Sequence, residues 1–352
     1  MKKKFEIGLF GLNSNSGIAM TKSKKRWMAE WEDIKKVTTL CDNNKIDFIF
    51  NVQRWLGFGG STNPAGKTYD SLTFSSAIGS ITKKIQIYTT VHVPLMHPTF
   101  LARSLSTIDQ ISKGRVSLNV VCGWNEMEFQ MFGKNNQSNI DRYKEGGEWV
   151  HLLKKILYSK KPVTVKGKYF RTIKASTDPK LYKNKKLNII SAAFSKNGRE
   201  FAIKYCDSLI TMFSNISSLK NQCSILKNKA KKKYKKKFKV YGLAHVVCKK
   251  TDKEAKKFYD NFTKKEPDVL AIKNFIKILS RGKKNIISDL QNEQFQKMAG
   301  GIGSYAIVGS PNTIIKEFNE LKKAGIDGVA ISFLNYKNEL PFFINNVLKK
   351  IK

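Results

Sequence analysis

Polar and reactive side chains collect where short runs of Val, Ile, Leu and Phe give out. Asp47–Asn51 leads into Val52-Gln53-Arg54, Ile85–Thr90 ends on Thr89-Thr90 with His92 just beyond, and Val116–Val121 carries Asn119 and runs into Cys122-Gly123-Trp124. Ser195 opens Lys196-Asn197-Gly198, and His245 sits within Leu243-Ala244-His245-Val246-Val247. Amides, hydroxyls and an imidazole suit the holding of an organic ligand and the handling of a proton beside it. Other chemistries lack their parts. The five cysteines (41, 122, 206, 223, 248) form no CxxC and no Cys/His pairing with zinc spacing, and the four histidines (92, 97, 151, 245) are too dispersed for a metal cluster. No metal is expected, the thiols read as reduced, and Cys122 reads as a small core residue rather than a nucleophile.

Each candidate has a second reading. Asn119 is either a satisfied core amide or a ligand contact; a buried amide needs partners and strand ends are where ligands supply them, which favours the ligand. His245 is either ligand-facing or a neutral core histidine. Trp124 either stacks on a ligand or closes a mouth. His92 and His97 flank Pro94 and Pro98 in an expected loop, facing substrate or water, and Gly57 to Gly60 is a mobile loop unless its place gives it a role.

The elements that must position these residues alternate regularly. Strands are expected at Glu6–Leu9, Asp47–Asn51, Ile85–Thr90, Val116–Val121, Leu187–Ser191, Ser208–Met212, Val240–Val247 and Gly328–Phe333. Helical periodicity lies between them, at Trp27–Asn44, Thr73–Ile81, Phe100–Ile111, Tyr143–Tyr158, Gly198–Tyr205, Lys253–Phe262 and Thr313–Ala324. Strands separated by helices need right-handed crossovers and a parallel sheet, and eight of them favour a closed (β/α)8 TIM barrel over an open sheet. Gly309-Ser310-Pro311 marks a helix start and Gly325 a helix end. The stretch 265–304 is too long for a loop and reads as inserted helices, Val269–Leu279 and Asn285–Met298, forming a lid between strands seven and eight. The expectation is one domain over 1–352 with its chemistry at the C-terminal ends of the strands.

Composition narrows the partners. The chain has 352 residues and a formal net charge of +38, but 57 of its 65 basic residues are Lys. Reading bases or clamping phosphates favours Arg, so specific nucleic-acid binding is not expected. Lys227–Lys239 holds nine Lys in thirteen residues and reads as a solvated helix end leading into a strand rather than a polyanion site. No apolar run reaches the roughly 18 residues of a membrane span, and the start lacks a cleavage site, so a cytoplasmic location is expected.

Four segments resemble the bacterial luciferase-like flavin monooxygenases: Asp47-Phe48 through Gly57-Phe58-Gly59-Gly60; Ile85 to Thr90; Thr107-Ile108-Asp109-Gln110-Ile111-Ser112-Lys113-Gly114-Arg115 through Cys122-Gly123-Trp124; and Gly309-Ser310-Pro311 with Ala324-Gly325-Ile326-Asp327-Gly328. Within the family the GFGG and NVVCGW segments are most similar to pyrimidine oxygenases, and less consistently to dimethylsulfone and alkanesulfonate monooxygenases. The resemblance implies a (β/α)8 barrel that uses reduced FMN (FMNH2) and O2 as co-substrate to oxidise a small N- or S-containing compound, a pyrimidine-like ring amide first. It also implies a separate NAD(P)H:flavin reductase and a homo-oligomer, dimer or tetramer.

Carried over by position, Val52 and Gln53 would line the isoalloxazine, Asn119 would bond its edge, and Thr90 would stand opposite near N5, where oxygen arrives. Glu128 would hold the ribityl chain, Arg142 and Tyr143 the phosphate, with Ser195 completing that site at a helix N-terminus. Thr90, Asn119 and His245 would be the catalytic set. Ala193 replaces the family's glycine before the serine, and Ala299 the arginine that alkanesulfonate enzymes carry before the glycine pair (here Gly300-Gly301), which counts against a sulfonate. His245 matches those same enzymes. Alternatives are a C–S-cleaving sulfone or sulfonate monooxygenase, a deazaflavin-dependent hydride-transfer oxidoreductase, and a non-catalytic polyanion-binding protein.

Overall fold

A computed structural model describes residues 5–134, 138–280 and 292–351. Eight parallel strands close into a barrel: β1 (Glu6–Phe10), β2 (Phe48–Phe50), β3 (Gln86–His92), β4 (Val116–Val121), β5 (Asn188–Ala192), β6 (Ser208–Thr211), β7 (Lys239–Cys248) and β8 (Gly328–Ser332). Neighbours in sequence are neighbours in space, and β8 pairs with β1 through Gly8↔Ala330 to close the ring. All eight strands lie where the β-branched runs placed them, because burial on both faces leaves near-continuous apolar sequence.

Helices Trp31–Asn43, Ser71–Ile81, Pro98–Ile111, Asn139–Tyr158, Lys196–Tyr205 and Ile216–Tyr234 make the first six crossovers, and Pro311–Lys323 leads into β8. The first begins four residues later than periodicity suggests. Trp27 is buried with its indole N–H donating to the Leu12 carbonyl at 2.9 Å, and Ala29 takes φ +52°, so 27–30 serve tertiary packing. Pro98 starts its helix outright, capped by His97 Nδ1 accepting from Thr99 N at 3.2 Å, so His97 is a cap and not a loop residue.

Two features carry no clear sequence signal. Val163–Lys166 and Arg171–Ala175 form an antiparallel hairpin outside the barrel. Tyr305–Gly309 adds a strand beside the upper half of β7, from Tyr305↔Ala244 to Gly309↔Cys248. The register explains it: β6 covers β7 only as far as Gly242, and the added strand takes over the backbone groups beyond. Within the expected 265–304 insertion, Val269–Ser280 and Asn292–Gly301 are helical, and 281–291 lie outside the described residues.

Alternation decides which side chains fill the barrel. Phe48, Phe50, Tyr88, Ile190, Ile210, Tyr241, Leu243 and Ala330 form the interior core. Gly8 yields the space that Phe48 occupies: a Cβ there would lie 2.1 Å from the Phe48 ring. At the N-terminal end, Glu6 accepts from the Tyr241 hydroxyl and Lys239 Nζ, both at 2.7 Å, while Asn188 donates to Tyr88 Oη at 3.0 Å and Ser117 Oγ at 3.1 Å. Two residues above that core, the same alternation turns Thr90, Asn119, His245 and Ser332 inward at the opposite end.

The lysine-rich run falls at the end of Ile216–Tyr234 and the start of β7. Its cations are partly engaged: Lys227 with Asp327 at 2.6 Å, Lys229 and Lys233 with Glu200, Lys239 with Glu6, and Lys236 with the Cys206 carbonyl.

Candidate active site

A hydrogen-bond relay crosses four strands at the C-terminal end of the barrel. Ala192 N–H donates to Asn119 Oδ1 at 3.1 Å, Asn119 Nδ2 donates to Thr90 Oγ1 at 3.0 Å, and the Thr90 hydroxyl donates to the Asn51 carbonyl. Ser71 Oγ receives Thr90 N–H at 2.8 Å from behind. Asn119 and Thr90 are 2% and 5% exposed. The hydroxyl proton is committed to Asn51, which leaves Thr90 an acceptor and gives Asn119 one further amide hydrogen to offer inward. The pairing Thr90↔Asn119 across β3 and β4 makes their meeting a consequence of strand register.

A second cluster lies one step outward. Glu128 is fully buried at the start of helix Glu126–Gln130; its Oε1 accepts from Trp55 N at 3.0 Å and more distantly from Leu56 N at 3.4 Å. Its Oε2 stands 3.6 Å from Arg54 Nη1 and 3.7 Å from His92 Nδ1, with no hydrogen bond of its own. Arg54 stacks over Trp124 at 4.2 Å. Burial, and then the Arg54 charge, hold His92 down to about 3, so its ring is neutral near pH 7. Burial also lowers Arg54, opposed by Glu128.

Across the mouth, His245 Nδ1 pairs with Ser332 Oγ at 2.9 Å, and Nε2 has no partner. Burial holds His245 at about 3, which makes it a neutral donor or acceptor rather than a cation.

The carried-over flavin contacts divide. Tyr143 Oη and Ser195 Oγ meet at 3.3 Å where Ser195 caps helix Lys196–Tyr205 by accepting from Gly198 N at 3.1 Å. A Cβ at Gly198 would sit 2.6 Å from the Tyr143 hydroxyl and 2.9 Å from the Ala193 methyl, so glycine keeps a cradle open at a helix N-terminus. The buried Arg142 turns instead to the Gly123 carbonyl. Val52 has its N–H and carbonyl both tied to Asn13, at 3.0 and 2.7 Å. Gln53 turns the other way: its Oε1 accepts from Ser71 N at 2.8 Å, bracing the next helix.

Two cavities adjoin these groups. One of about 530 Å³ is lined by Gly57, Phe58, Trp124, Met127, Asn274 and Ile278. The other, about 70 Å³, lies against Phe10, Ile18, Val52, Arg54, Phe58 and Phe275. Helix Val269–Ser280 thus brings Asn274, Phe275 and Ile278 over the mouth. It is pinned to the glycine loop: Asp268 accepts from Thr62 N at 2.8 Å and Oγ1 at 2.7 Å, and Asn274 donates to the Phe58 carbonyl at 2.9 Å. The Arg54–Glu128–His92 grouping, the Ser332 partner of His245 and these insertion contacts were not assembled by sequence reasoning. Only the inward alternation, Tyr88 to Thr90 to His92 and Ala330 to Ser332, could have signalled part of them.

A parallel (β/α)8 barrel with a polar relay and a helix-capped cradle at its C-terminal face defines the class. The chain belongs to the luciferase-like monooxygenase family, whose model matches residues 5–328. It is 30% identical over 204 residues to pyrimidine monooxygenase RutA of Acinetobacter baylyi, an overlap of 57% of this chain and 54% of that protein. The match therefore spans little more than half the length of that protein, as it does for most of the pyrimidine monooxygenases the chain resembles. It is 22% identical over 346 residues to the FMNH2-dependent dimethylsulfone monooxygenase of Pseudomonas putida, covering 97% of this chain and 93% of the other. Its fold superposes on long-chain alkane monooxygenase LadA with a TM-score of 0.84 at 21% identity, covering 100% and 92% of the two chains. An F420-dependent secondary alcohol dehydrogenase shares the barrel at TM-score 0.73 and 19% identity, with 99% of each chain covered. Among the described residues no helix is long and apolar enough to cross a membrane, and no group of three or more His, Cys, Asp or Glu could hold a metal.

Proposed function

We propose that the chain is a monooxygenase using reduced FMN and O2 to oxidise a small, neutral N- or S-containing compound. A pyrimidine-like ring amide or a dimethylsulfone-like molecule would be its substrate, with reduced flavin delivered by a separate reductase in the cytoplasm. The relay Ala192–Asn119–Thr90–Asn51 carries the reading: buried polar atoms in fixed orientation at a barrel mouth are what a planar polar ring system needs. The matches to a pyrimidine and to a dimethylsulfone monooxygenase support the substrate classes.

Bound FMN would supply the electrons for oxygen activation. The protein's part is positional. Asn119 would donate to the ring edge, Val52 would pack against its face, Tyr143 and Ser195 would hold the phosphate in the space Gly198 leaves open, and Glu128 Oε2 would accept from the ribityl chain. His245 Nε2 would accept or donate a proton at the attacked group, its ring held in place by the Ser332 hydroxyl at Nδ1. Phe58 and Trp124, together with Phe275 from the described part of a 265–304 lid, would exclude water.

The test is an anaerobic titration with reduced FMN at about 0.3 M salt, which suppresses adhesion of a +38 chain to polyanions. Saturable binding, tighter than for oxidised FMN, supports the proposal, and its absence removes it. A parallel titration with deazaflavin addresses the second enzyme reading, the barrel being one that an F420-dependent alcohol dehydrogenase shares.

A further inference from the structure

Arg54 occupies a position that the flavin contacts do not use. It follows β2, forms part of the wall of the 70 Å³ cavity, and stacks on Trp124, which lines the 530 Å³ one; Phe58 borders both. Its side chain is 17% exposed, yet Nη1 is buried without an acceptor at hydrogen-bond distance, its ion-pair partner Glu128 Oε2 standing at 3.6 Å. A guanidinium hydrogen buried in the wall of a largely apolar cavity, with only the long 3.6 Å contact to Glu128, is a donor that an oxygen entering the cavity would satisfy once the side chain turns toward it.

The charges around it nearly cancel. Among the described residues lining the small cavity, Arg54 carries the only charge, and the buried Glu128 carboxylate beside it supplies the opposite one. His92 and His245 are neutral, so neither adds positive charge. An anion entering here would meet a cation already compensated and would itself be left uncompensated in a desolvated space. A neutral molecule with a polarised oxygen would meet a charge-assisted donor at no such cost.

We propose that Arg54, compensated by Glu128 and held flat by Trp124, is the specificity-determining residue of this site. It selects compact neutral molecules bearing a strongly polarised S=O or C=O oxygen and turns away anions such as sulfonates. The inference rests on the monooxygenase reading for its biological meaning, but its test does not depend on turnover. The indole resonance of Trp124, assigned in 15N-labelled full-length protein with Trp124→Phe, reports binding beside Arg54 with or without FMN.

Dimethylsulfone, uracil and methanesulfonate are the probes. In the wild type a neutral probe shifts the resonance saturably and methanesulfonate does not. Arg54→Gln weakens the neutral probe on the order of ten- to hundredfold, as for loss of a charge-assisted hydrogen bond. Arg54→Lys, which keeps the charge beside Glu128 and guards against a folding defect, loses the flat stack and lies between. Glu128→Gln retains an acceptor for Trp55 N–H but removes the counter-charge, and methanesulfonate then binds. The proposal is overturned if methanesulfonate binds wild type as tightly as the neutral probes, if no neutral probe moves the signal, or if Arg54→Gln and Arg54→Lys both leave binding within twofold. Failure of the reduced-FMN titration alone would remove the oxygenase reading and leave this result standing.

Discussion

The two ends of the barrel are built by the same strands and treat their polar groups oppositely. At the N-terminal end Tyr88, Tyr241, Asn188 and Glu6 bond one another, and the interior is sealed. At the C-terminal end Glu128 Oε2, Arg54 Nη1, His92 Nδ1 and His245 Nε2 are buried with a valence to spare. A buried polar atom without a partner costs about 1–3 kcal/mol. Buried unpartnered atoms also occur elsewhere, Ser208 Oγ at the start of β6 among them, but these four stand at the mouth, where an entering ligand would satisfy them.

The sharpest way to break this comparison is a pair of asparagines. Asn119→Ala at the open end should lower coupled turnover by about a hundredfold or more, the scale for losing an oriented donor, and should also cost about 1–3 kcal/mol in denaturant melts for the two hydrogen bonds it removes. Asn188→Ala at the sealed end should cost about 1–3 kcal/mol in denaturant melts and leave turnover per folded molecule intact. Equal loss of activity in both would erase the distinction.

Acid should attack the open end. His92 and His245 are held at about 3, below the ordinary value near 6.5. Their neutral forms therefore contribute stability that is complete above about 6.5 and falls away as pH drops toward 3, by up to several kcal/mol at 1.36 kcal/mol per pKa unit. Melts from pH 7 to pH 4 measure it, and His245→Gln should flatten the slope.

The opposite sign belongs to Glu339, away from the mouth in helix Tyr336–Phe343. Burial raises it to about 7, against the pull of Lys249 at 3.7 Å. Its contribution is complete below about 4.5 and is lost as pH rises through about 7, up to about 3 kcal/mol; Glu339→Gln should remove that decline. The smallest functional effect expected is at the cradle. Gly198→Ala should weaken FMN about tenfold, read by flavin fluorescence, and cost about 1–3 kcal/mol of stability, since its Cβ would meet the Tyr143 hydroxyl and the Ala193 methyl.

Much of this was legible in the sequence, for reasons that differ by element. That Thr90 and Asn119 lie side by side at the mouth follows from strand runs that alternation and resemblance both mark. That Ser195 opens a helix was legible because a serine before a helix is local capping chemistry. Gln53 and Arg142 show the limit: their positions follow from the family pattern, but their side chains turn to Ser71 and to Gly123 because neighbouring backbone groups needed partners. His97 moved from loop to cap for the same reason.

By itself, then, the chain determines eight strands, their order and which residues face inward. Those follow from periods of 2 and 3.6 and from turn and cap residues, all local in sequence. Only the tertiary structure decides that Arg54 lies between Trp124 and Glu128, that Ser332 holds His245, and that Phe275 covers a cavity whose wall begins at Phe10. These contacts join segments 70 to more than 260 residues apart. Their geometry comes from barrel closure and strand register, and no local pattern encodes a distance across the mouth of a barrel.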